Sequence, residues 1–503
     1  MASTPTLPDL EPCPGPFNAA AYVLQAGSQT PDKVALMILS PSGAERWSYA
    51  RLIAAVRGCG TGLLAKGLRA GDRVLLRLSN SAAFPLAFLG AIAVGVIPVP
   101  VSAQLTASEV LALISRIGPA LIVADPSLAL PPCDLPVLSS SEVLAMERLT
   151  PCDWSMGDPD RSAYAIFTSG TSGRPMPVLH AHRAVWARRM MHRGWESIGP
   201  SDRVFHAGAL NWTFTLGTGL LDPWTLGATA LIPGPGLLPS VFPLLLRRHD
   251  ATIFAGAPGA IRQMLRAPVP ALPRLRHGLS AGETLLPSLR AEWRTATGTD
   301  LHEALGMSEC STYISGSPER PAPDGFAGYA QPGRRIALLD GETGLAGADQ
   351  GEIAIHRDDP GLMLGYLEEP KATAARYRGD WFLTGDIASQ GPDGAFRYLG
   401  RADDLMNAGG YRVSPAEVEA ALSGVPGVDD LAVLSREVRP GVGVIACVYV
   451  ADADRSAELA ERAGLVLARY KQPREFRRTN ALPRNPNGKL NRGKLHQLWD
   501  VKA

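Results

Sequence analysis

The stretch that decides the fold is Tyr164-Ala-Ile-Phe-Thr-Ser-Gly-Thr-Ser-Gly-Arg-Pro-Met176. Its apolar run stops at Thr168, and the residues up to Gly173 supply hydroxyl groups and exposed backbone amides within one turn. Groups of these kinds can surround phosphate oxygens. The turn is not a Walker A loop, because no Gly-Lys-Ser/Thr follows at the required spacing. Taken alone, a Ser/Thr/Gly turn of this kind is more often an ordinary surface loop, and a phosphate-binding loop is the alternative.

The composition is that of a globular protein with a large core. The chain has 503 residues, of which 46% are hydrophobic and 19% charged, enough for roughly three folded units or for one large unit and a small one. The formal net charge is +1, so no general electrostatic attraction to nucleic acid or anionic lipid is expected. Any anion that the chain binds must be held by local groups.

Cysteine spacing and the N-terminus favour a cytoplasmic protein. Six cysteines are scattered without CxxC spacing, which argues against a zinc ribbon and a disulfide framework. The first residues lack the basic and apolar regions of a secretory signal. The most apolar stretch, Pro85 to Val101, is interrupted by Pro98 and Pro100. We interpret it as a buried helix that runs into a strand, and we expect no integral membrane segment.

The pattern along the chain predicts an α/β fold. Helix-like segments alternate with short apolar runs from Phe17 to Leu144 and again from Asp202 to Leu339, as is typical of parallel sheets covered by helices. After Gly351 short strands and Gly/Pro-rich turns suggest a small barrel-like portion. Beyond Asp403 the order helix, strand, strand, helix and polar tail predicts a compact α+β domain. We expect two packed βαβ-type sheets and the barrel-like portion in residues 1–402, followed by the small domain in residues 403–503.

Five further segments carry polar residues at the ends of apolar runs. In chain order they are Ser280-Ala-Gly-Glu283, Leu305-Gly-Met-Ser-Glu309, Thr384-Gly-Asp386, Gly400-Arg-Ala-Asp-Asp404 with Gly409-Gly-Tyr-Arg412, and Leu482-Pro-Arg-Asn-Pro-Asn-Gly-Lys489. Each alone reads as a turn or a solvated charge cluster. Together with the phosphate loop, and in this order, they resemble the motifs of the adenylate-forming superfamily of acyl-CoA synthetases, nonribosomal adenylation domains and luciferases. The resemblance spans nearly the whole chain.

The resemblance implies an acid:CoA ligase that uses ATP, Mg²⁺ and coenzyme A. A carboxylic acid attacks the α-phosphate of ATP, so positive groups must be preorganised around the site. It implies catalytic roles for Thr171, Glu309, Arg401 and Lys489. Glu309 would hold Mg²⁺, and Asp386 would accept both ribose hydroxyls. The small domain would be mobile, with Asp403 as its hinge and Gly409 and Gly410 beside a tunnel for the pantetheine arm. The ATP/AMP-binding residues implied are Thr168, Ser169, Gly170, Thr171, Ser172, Gly173, Arg174, Gly282, Glu283, Gly306, Met307, Ser308, Asp386 and Arg401.

The sequence departs from the superfamily pattern at the end of the phosphate loop. Met176 stands where the pattern has a lysine, and Pro177 where it has a glycine. Loss of one charge-assisted contact would weaken the enzyme about 10- to 100-fold. Arg174 is one candidate substitute, with further donors from His180 or His182. A degenerate member that binds nucleotide but turns over poorly is the alternative.

The resemblance also places an acyl pocket, which we assign to Asn211, Trp212, Phe214, Ala281 and Leu305. Two large aromatic side chains suit a compact acid, either small or aromatic, although Trp212 and Phe214 also read as core residues. Leu305 replaces an aromatic residue that stacks on adenine in many relatives. CoA is the expected acceptor because the chain ends soon after Lys489, and the pantetheine of a carrier protein is the alternative. We expect a monomer or homodimer.

Overall fold

The computed structural model describes most of the chain. Its described residues are 11–168, 175–341, 343–344, 346–404, 406–408, 411–439, 442–484 and 490–500.

Two sheets with parallel strands form the body. Within the described residues, nine strands make the larger sheet, parallel in its centre and antiparallel at both edges. In spatial order they are Tyr329–Ala330, Ser311–Ser315, Asp300–Met307, His277–Ala281, Ile253–Ala255, Arg203–His206, Thr229–Pro233, Val34–Leu39 and Ala44–Ser48. The smaller sheet, of four parallel strands in the same described part, is Ile97–Pro100, Arg73–Arg77, Leu121–Ala124 and Val137–Ser139. Their strands are almost uniformly apolar because helices cover both faces.

Helices between these strands supply the second layer. Among the described helices, those of the body are Ala19–Gln25, Tyr49–Ala65, Ala83–Ala93, Ala107–Ile117, Ser140–Ala145, Arg183–Trp186, Arg189–Met191, Thr213–Leu216, Asp222–Thr225, Phe242–Arg248, Pro258–Leu265, Pro287–Thr297 and Pro370–Ala374. Every residue of Ala83–Ala93 is buried, and the chain continues into the strand Ile97–Pro100, as the apolar stretch predicted. None of the described helices combines the length and apolarity needed to cross a membrane.

Two antiparallel units complete the body. A hairpin of Ser162–Phe167 and Pro177–Ala181 pairs with Gly365–Tyr366 and carries the predicted phosphate loop at its tip. The barrel-like portion contains, among the described strands, Ile336–Leu339, Gln350–His356, Trp381–Gln390, Tyr377–Arg378 and Phe396–Arg401. Asp386 lies in the middle of the strand Trp381–Gln390, although the sequence placed its motif at a strand end, and it pairs with Arg401 at the end of Phe396–Arg401.

The C-terminal part is a small α+β unit. Its described elements are the hairpin Met406–Ala408 and Tyr411–Val413, the helices Pro415–Leu422 and Ser456–Val466, the strands Asp430–Arg439, Val442–Val450 and Glu475–Thr479, and the short helices Arg492–Leu495 and Gln497–Asp500. Val418, Leu459 and Cys447 pack in its core. The predicted polar tail was wrong in part, because Glu475–Thr479 adds a parallel strand beside Val442–Val450. Three of its five residues are charged, so a hydropathy pattern does not indicate a strand.

The predicted fold class is confirmed, with one difference in strand assignment. Val34–Leu39 and Ala44–Ser48 precede the smaller sheet in sequence but lie in the larger one, beside Thr229–Pro233. A pairing between segments so distant in sequence follows from the packing of the two sheets, which the local pattern does not encode. The boundary between residues 402 and 403 stays a prediction.

Candidate active site

The predicted phosphate loop is closed by a hydrogen bond between its two ends. Thr168 N–H donates to Met176 O at 2.9 Å, directly after the strand Ser162–Phe167. Ser169, Gly170, Thr171, Ser172, Gly173 and Arg174 lie outside the described residues. The hairpin therefore brings Thr168 and Met176 together, and the roles assigned to the residues between them stay predictions.

An arginine from a separate helix contacts the end of this loop, at Pro175 and Met176. Arg116, in the last turn of Ala107–Ile117, donates Nη1 to the carbonyl of Pro175, and its Nη2 is 3.2 Å from Met176 Sδ. Its side chain is 12% exposed and pairs with Glu369 at 2.8 Å. A guanidinium thus lies beside the residue that replaces the expected lysine. No local pattern indicates this contact, because Arg116 is far from the loop along the chain.

The turn after Asp300–Met307 presents Ser308 and Glu309. His180 Nε2 donates to Ser308 O at 2.8 Å, and Thr213 Oγ1 donates to Ser308 Oγ at 3.3 Å. Burial lowers the pKa of the His180 imidazole to about 4, so the ring is neutral at physiological pH. The His180 ring therefore holds the turn by its hydrogen bond to the main-chain oxygen of Ser308, and it is not a further phosphate donor.

His182 is equally engaged elsewhere. Its Nδ1 accepts a hydrogen bond from Ala19 N–H at 3.0 Å, and its side chain is fully buried. Burial lowers the pKa of His182 to about 3. The hypothesis that either histidine supplies a phosphate donor was therefore wrong, because both rings face the protein interior.

Glu309 is held in place but keeps one carboxylate oxygen available. Tyr366 OH donates to Glu309 Oε1 at 2.7 Å, and Met363 N–H donates to Glu309 O at 2.8 Å. No described residue donates to Oε2 within hydrogen-bond distance. A carboxylate oxygen is the ligand type that Mg²⁺ prefers. The donor set therefore fits the predicted role of Glu309 as a magnesium ligand.

Two glycines of the predicted site are required by close packing. Gly282 has φ of +95°, and a Cβ there would lie 2.7 Å from Trp212 Cζ2. Gly306 packs against the antiparallel neighbour, where a Cβ would lie 2.8 Å from Thr312 Cα. Met307 ends the same strand. These contacts position the adenine-pocket turn and the Ser308 turn at one edge of the larger sheet.

Asp386 accepts hydrogen bonds at both carboxylate oxygens. Tyr313 OH donates to Oδ2 at 2.5 Å, while Tyr398 OH at 3.4 Å and Arg401 Nη1 at 3.2 Å lie at Oδ1. Arg401 Nη1 also donates to Thr384 O at 2.9 Å. Burial would lower the pKa of the Arg401 guanidinium, but the carboxylate of Asp386 outweighs it and the pKa is raised. The structure therefore brings two of the predicted ligands of ribose and phosphate, Asp386 and Arg401, into contact.

Glu283 binds the small domain. Arg484 Nη1 lies 2.8 and 3.0 Å from its two carboxylate oxygens, and Leu490 N–H donates to Oε1 at 2.6 Å. Arg484 also pairs with Asp430 at 2.8 Å, and Arg262 of the body reaches Asp430 at 3.1 Å. The segment that follows Lys489 is thus fixed at the adenine-pocket turn.

Other residues of the predicted site lie outside the described residues. These are Gly409, Gly410 and Lys489 and the side chain of Asp403. The main chain of Asp403 lies in the turn Ala402–Asp404, between the barrel-like portion and the small domain.

The predicted acyl pocket contains a cluster of aromatic rings centred on Phe214. Its ring centroid lies 4.4 Å from His206, 5.3 Å from Trp212 and 5.6 Å from Trp195. Ala281 lies in the same buried cluster, whereas Leu305 packs at the edge of a different one and Asn211 is half-buried. A cavity of about 110 Å³ opens beside Gly208, Trp212 and Arg484.

Comparisons with known proteins agree with this arrangement. The AMP-binding enzyme family matches residues 23–367, and the AMP-binding enzyme C-terminal domain matches residues 417–489. The human mitochondrial acyl-coenzyme A synthetase ACSM2B is 31% identical, over 97% of this chain and 92% of that protein. The benzoate–CoA ligase of Thauera aromatica is 30% identical, over 90% and 91%. The crystal structure of a benzoate CoA ligase from Burkholderia xenovorans has a TM-score of 0.86 at 26% identity, over 95% and 99%.

The fold and the site define an adenylate-forming enzyme with a large body and a small C-terminal domain. The chain belongs to the AMP-binding enzyme family, and the resemblance to the adenylate-forming superfamily is confirmed.

Several residues that hold the site were missed by sequence reasoning. Tyr313, Tyr366 and Arg484 each contact a predicted site residue, and Arg116 contacts the end of the predicted phosphate loop. Arg484 lies inside a quoted motif, but its partner Glu283, like the partners of the other three, is known only once the chain is folded.

Proposed function

We propose that the chain is an ATP-dependent carboxylic acid:CoA ligase, which forms acyl-AMP and pyrophosphate and then acyl-CoA and AMP. Family membership supports this proposal, as do relatives named as acyl-CoA synthetases and benzoate–CoA ligases that match over more than nine-tenths of their length. Those matches span both domains, which favours CoA over a carrier protein as the acceptor.

The observation that carries the proposal is the contact between the two domains. Leu490 N–H donates to Glu283 Oε1, so the residue after Lys489 is held at the turn that the resemblance assigns to adenine. Lys489 would then carry its ammonium group to the α-phosphate and the acid's carboxylate. A cation at that position offsets the repulsion between two anions that must approach each other.

The residues of the body have separate tasks in adenylation. Asp386 would accept the ribose hydroxyls, and Thr168 with the loop after it would surround the phosphates. Glu309 would hold Mg²⁺, which supplies charge neutralisation of the phosphates when it is bound. Because acyl-AMP hydrolyses readily, a small domain that closes over it also protects the intermediate from water.

The second step needs a different domain arrangement. We assign residues 1–402 to the body and 403–503 to the small domain, with Asp403 as the hinge. Rotation there would withdraw Lys489 and bring Gly409 and Gly410 beside the pantetheine arm, where a residue without a side chain allows close approach. A cytoplasmic location and a monomeric or homodimeric state stay predictions.

The acid is small or aromatic. Phe214 lies at the centre of a cluster of aromatic rings, and Trp212 of this cluster lines the cavity of about 110 Å³. A cavity of this size suits a flat or short group better than a long chain. Offset or edge-on contacts with such rings favour an aromatic acid.

Two buried polar groups suggest that the acid carries a hydrogen-bonding substituent. His206 Nδ1 accepts from Gly208 N–H at 3.1 Å, which leaves the proton on Nε2, since burial lowers the pKa of His206 to about 3. Neither His206 Nε2 nor Thr215 Oγ1 has a partner among the described residues. Both side chains adjoin Gly208, which lines the cavity. A ring hydroxyl or amino group would satisfy them at the cost of a small rearrangement.

The test is a screen of purified protein with ATP, CoA and a panel of acids, in which AMP and thioester are both measured. We expect AMP and thioester in equal amounts for small or aromatic acids. Lys489→Ala should lower acyl-AMP formation at least about 100-fold, while the exposed Lys494→Ala should not. Acyl-AMP without thioester would point to loading of a carrier protein. Unchanged activity in Lys489→Ala would contradict the proposal.

A further inference from the structure

A buried charged cluster lies beneath the site and is not used by the chemistry above. It consists of Arg188, His192, Glu196, Thr218, Asp222 and Ser311. The side chains of Arg188 and Asp222 are 6% and 1% exposed. Two π-helical turns, His192–Glu196 and Gly217–Leu221, contribute to it. Such irregular turns often occur at functional sites.

Arg188 uses three nitrogens to join separate parts of the body. Its Nε donates to Asp222 Oδ1 at 2.7 Å and its Nη2 to Oδ2 at 2.5 Å. Its Nη1 donates to Ser311 Oγ at 2.6 Å. A Cβ at Gly217 would lie 2.1 Å from Nη2, so that glycine makes room for the guanidinium. The planar fork fixes both the distance and the orientation of its partners.

The two partners of Arg188, Asp222 and Ser311, belong to two different parts of the predicted site. Asp222 begins the helix that follows Thr213–Leu216 and the π turn, and Phe214 and Thr213 lie on that run. Ser311, with φ of +66°, ends the turn that carries Ser308 and Glu309. Thr213 Oγ1 donates to Ser308 Oγ, so the two parts also meet directly.

A metal ion is a poor explanation for the cluster. Ligand atoms of His192, Glu196 and Asp222 lie within 4.8 Å of one another, but Arg188 already occupies both oxygens of Asp222. Burial raises the pKa of the Glu196 carboxyl, and the carboxylate of Asp222 raises it further. Thr218 Oγ1 donates to Glu196 Oε1 at 2.8 Å, while Arg188 and Asp222 pair with each other.

Stability is also a poor explanation. Removing two charges from water costs several kcal/mol per ion, and apolar replacements of buried pairs are often neutral or stabilising. What an apolar pair would not provide is the fixed, three-point geometry between Asp222 and Ser311. We propose that Arg188 is a positioning residue, which sets the Ser308–Glu309 turn against the acyl-pocket helix so that the acid's carboxylate and the α-phosphate align. This inference rests on the proposed ligase function.

The test compares Arg188→Lys, Ser311→Ala and the double variant. Each single change removes the hydrogen bond between residues 188 and 311. We expect each to lower kcat of ATP–pyrophosphate exchange about tenfold, with the KM values for ATP and acid within about twofold. Because both act through one bond, the double variant should be no slower than the slower single variant. Arg276→Lys is the control, since Arg276 forms a similar fork on Asp202, at 2.7 and 3.1 Å, at the other end of the strands.

Hydrogen–deuterium exchange of the peptide that spans residues 305–311 gives a readout independent of activity. Arg188→Lys and Ser311→Ala should each speed its exchange, and Arg276→Lys should not. Unchanged exchange, additive losses of kcat, or an equal loss in Arg276→Lys would overturn the inference. Absence of acid-dependent exchange of pyrophosphate in the unmodified protein would instead contradict the proposed function, and the deuterium measurement would still decide the role of Arg188.

Discussion

Arg484 of the small domain lies 2.8 Å from Glu283 of the body, and the main-chain amide of Leu490 donates to the same carboxylate. This contact holds the segment that follows Lys489 at the edge of the larger sheet. The small domain thus contacts the body through the residues on either side of the Lys489 segment. Under the proposed function, this contact offers a way to separate adenylation from thioester formation.

Loss of that contact should slow adenylation selectively. Arg484→Gln removes the charge that pairs with Glu283 and Asp430, and hydrogen bonds to charged groups contribute about 1.5 to 3 kcal/mol. We expect kcat of ATP–pyrophosphate exchange to fall about tenfold or more. Thioester formation from supplied acyl-AMP should change less than about twofold. The control is Arg266→Gln, because Arg266 is 62% exposed and 3.8 Å from Asp429 at the same interface. Equal losses in both steps would contradict the prediction.

Arg116 should contribute to ATP binding at the phosphate loop. Its guanidinium lies beside Met176 and donates to Pro175 O, which adds positive charge where the expected lysine is missing. We expect Arg116→Gln to raise the KM for ATP about tenfold, measured at saturating acid. Arg73→Gln is the matched control, since Arg73 pairs with Glu368, the neighbour of the residue that pairs with Arg116. An unchanged KM for ATP in Arg116→Gln would show that its charge does not reach the phosphates.

Phe214 should limit the size of the acid. Phe214→Ala removes the ring at the centre of the aromatic cluster, which should admit longer acids and raise the KM for small ones about tenfold. The measurement is kcat/KM across acids of increasing length. Phe242→Leu is the control, because Phe242 packs in a separate core cluster against Phe205. Phe242→Leu should lower stability without altering the preference for acids of different length. An unchanged preference in Phe214→Ala would show that Phe214 does not limit the size of the acid.

His180 should give a defined pH dependence of stability. Burial lowers its pKa from 6.5 to about 4 in the folded protein, so between those values the unfolded chain binds more protons. The contribution of His180 to the free energy of unfolding is therefore fully present above pH 6.5 and is lost as the pH falls toward 4. The loss is about 2 kcal/mol at pH 5. His180→Gln does not titrate and retains a donor for Ser308 O.

The measurement is the free energy of unfolding in denaturant at pH 5 and pH 7 for both proteins. Other buried histidines are common to both and cancel in the comparison. We expect the unmodified protein to lose about 2 kcal/mol more than His180→Gln between pH 7 and pH 5. Parallel pH profiles would show that folding does not lower the pKa of His180.

Several features of the fold were predictable because they depend on local sequence. The predicted order helix, strand, strand, helix beyond Asp403 agrees with Pro415–Leu422, Asp430–Arg439, Val442–Val450 and Ser456–Val466. Ala83–Ala93 was recognisable as a buried helix from its apolar run and the prolines after it. Glu475–Thr479 was missed because three of its five residues are charged, and only its neighbour Val442–Val450 makes it a strand.

The motifs of the site were likewise recognisable from the sequence, whereas the residues that hold them in place were not. Thr168, Glu309, Asp386 and Lys489 lie in short motifs whose order along the chain identifies the family. Histidines 180 and 182 were misread as phosphate donors, because nearness in sequence does not fix the direction of a ring.

The sequence by itself thus determined the fold class and the family, since these depend on hydrophobic periodicity and on short contiguous motifs, and the same motifs predict the reacting groups. Tertiary structure alone decided what holds those groups: Tyr313 on Asp386, Arg484 on Glu283, and Arg188 between Asp222 and Ser311. The physical reason is that each of these bonds joins residues far apart in the chain. Their distance and orientation are set by how the sheets, helices and small domain pack, and no local pattern records that packing.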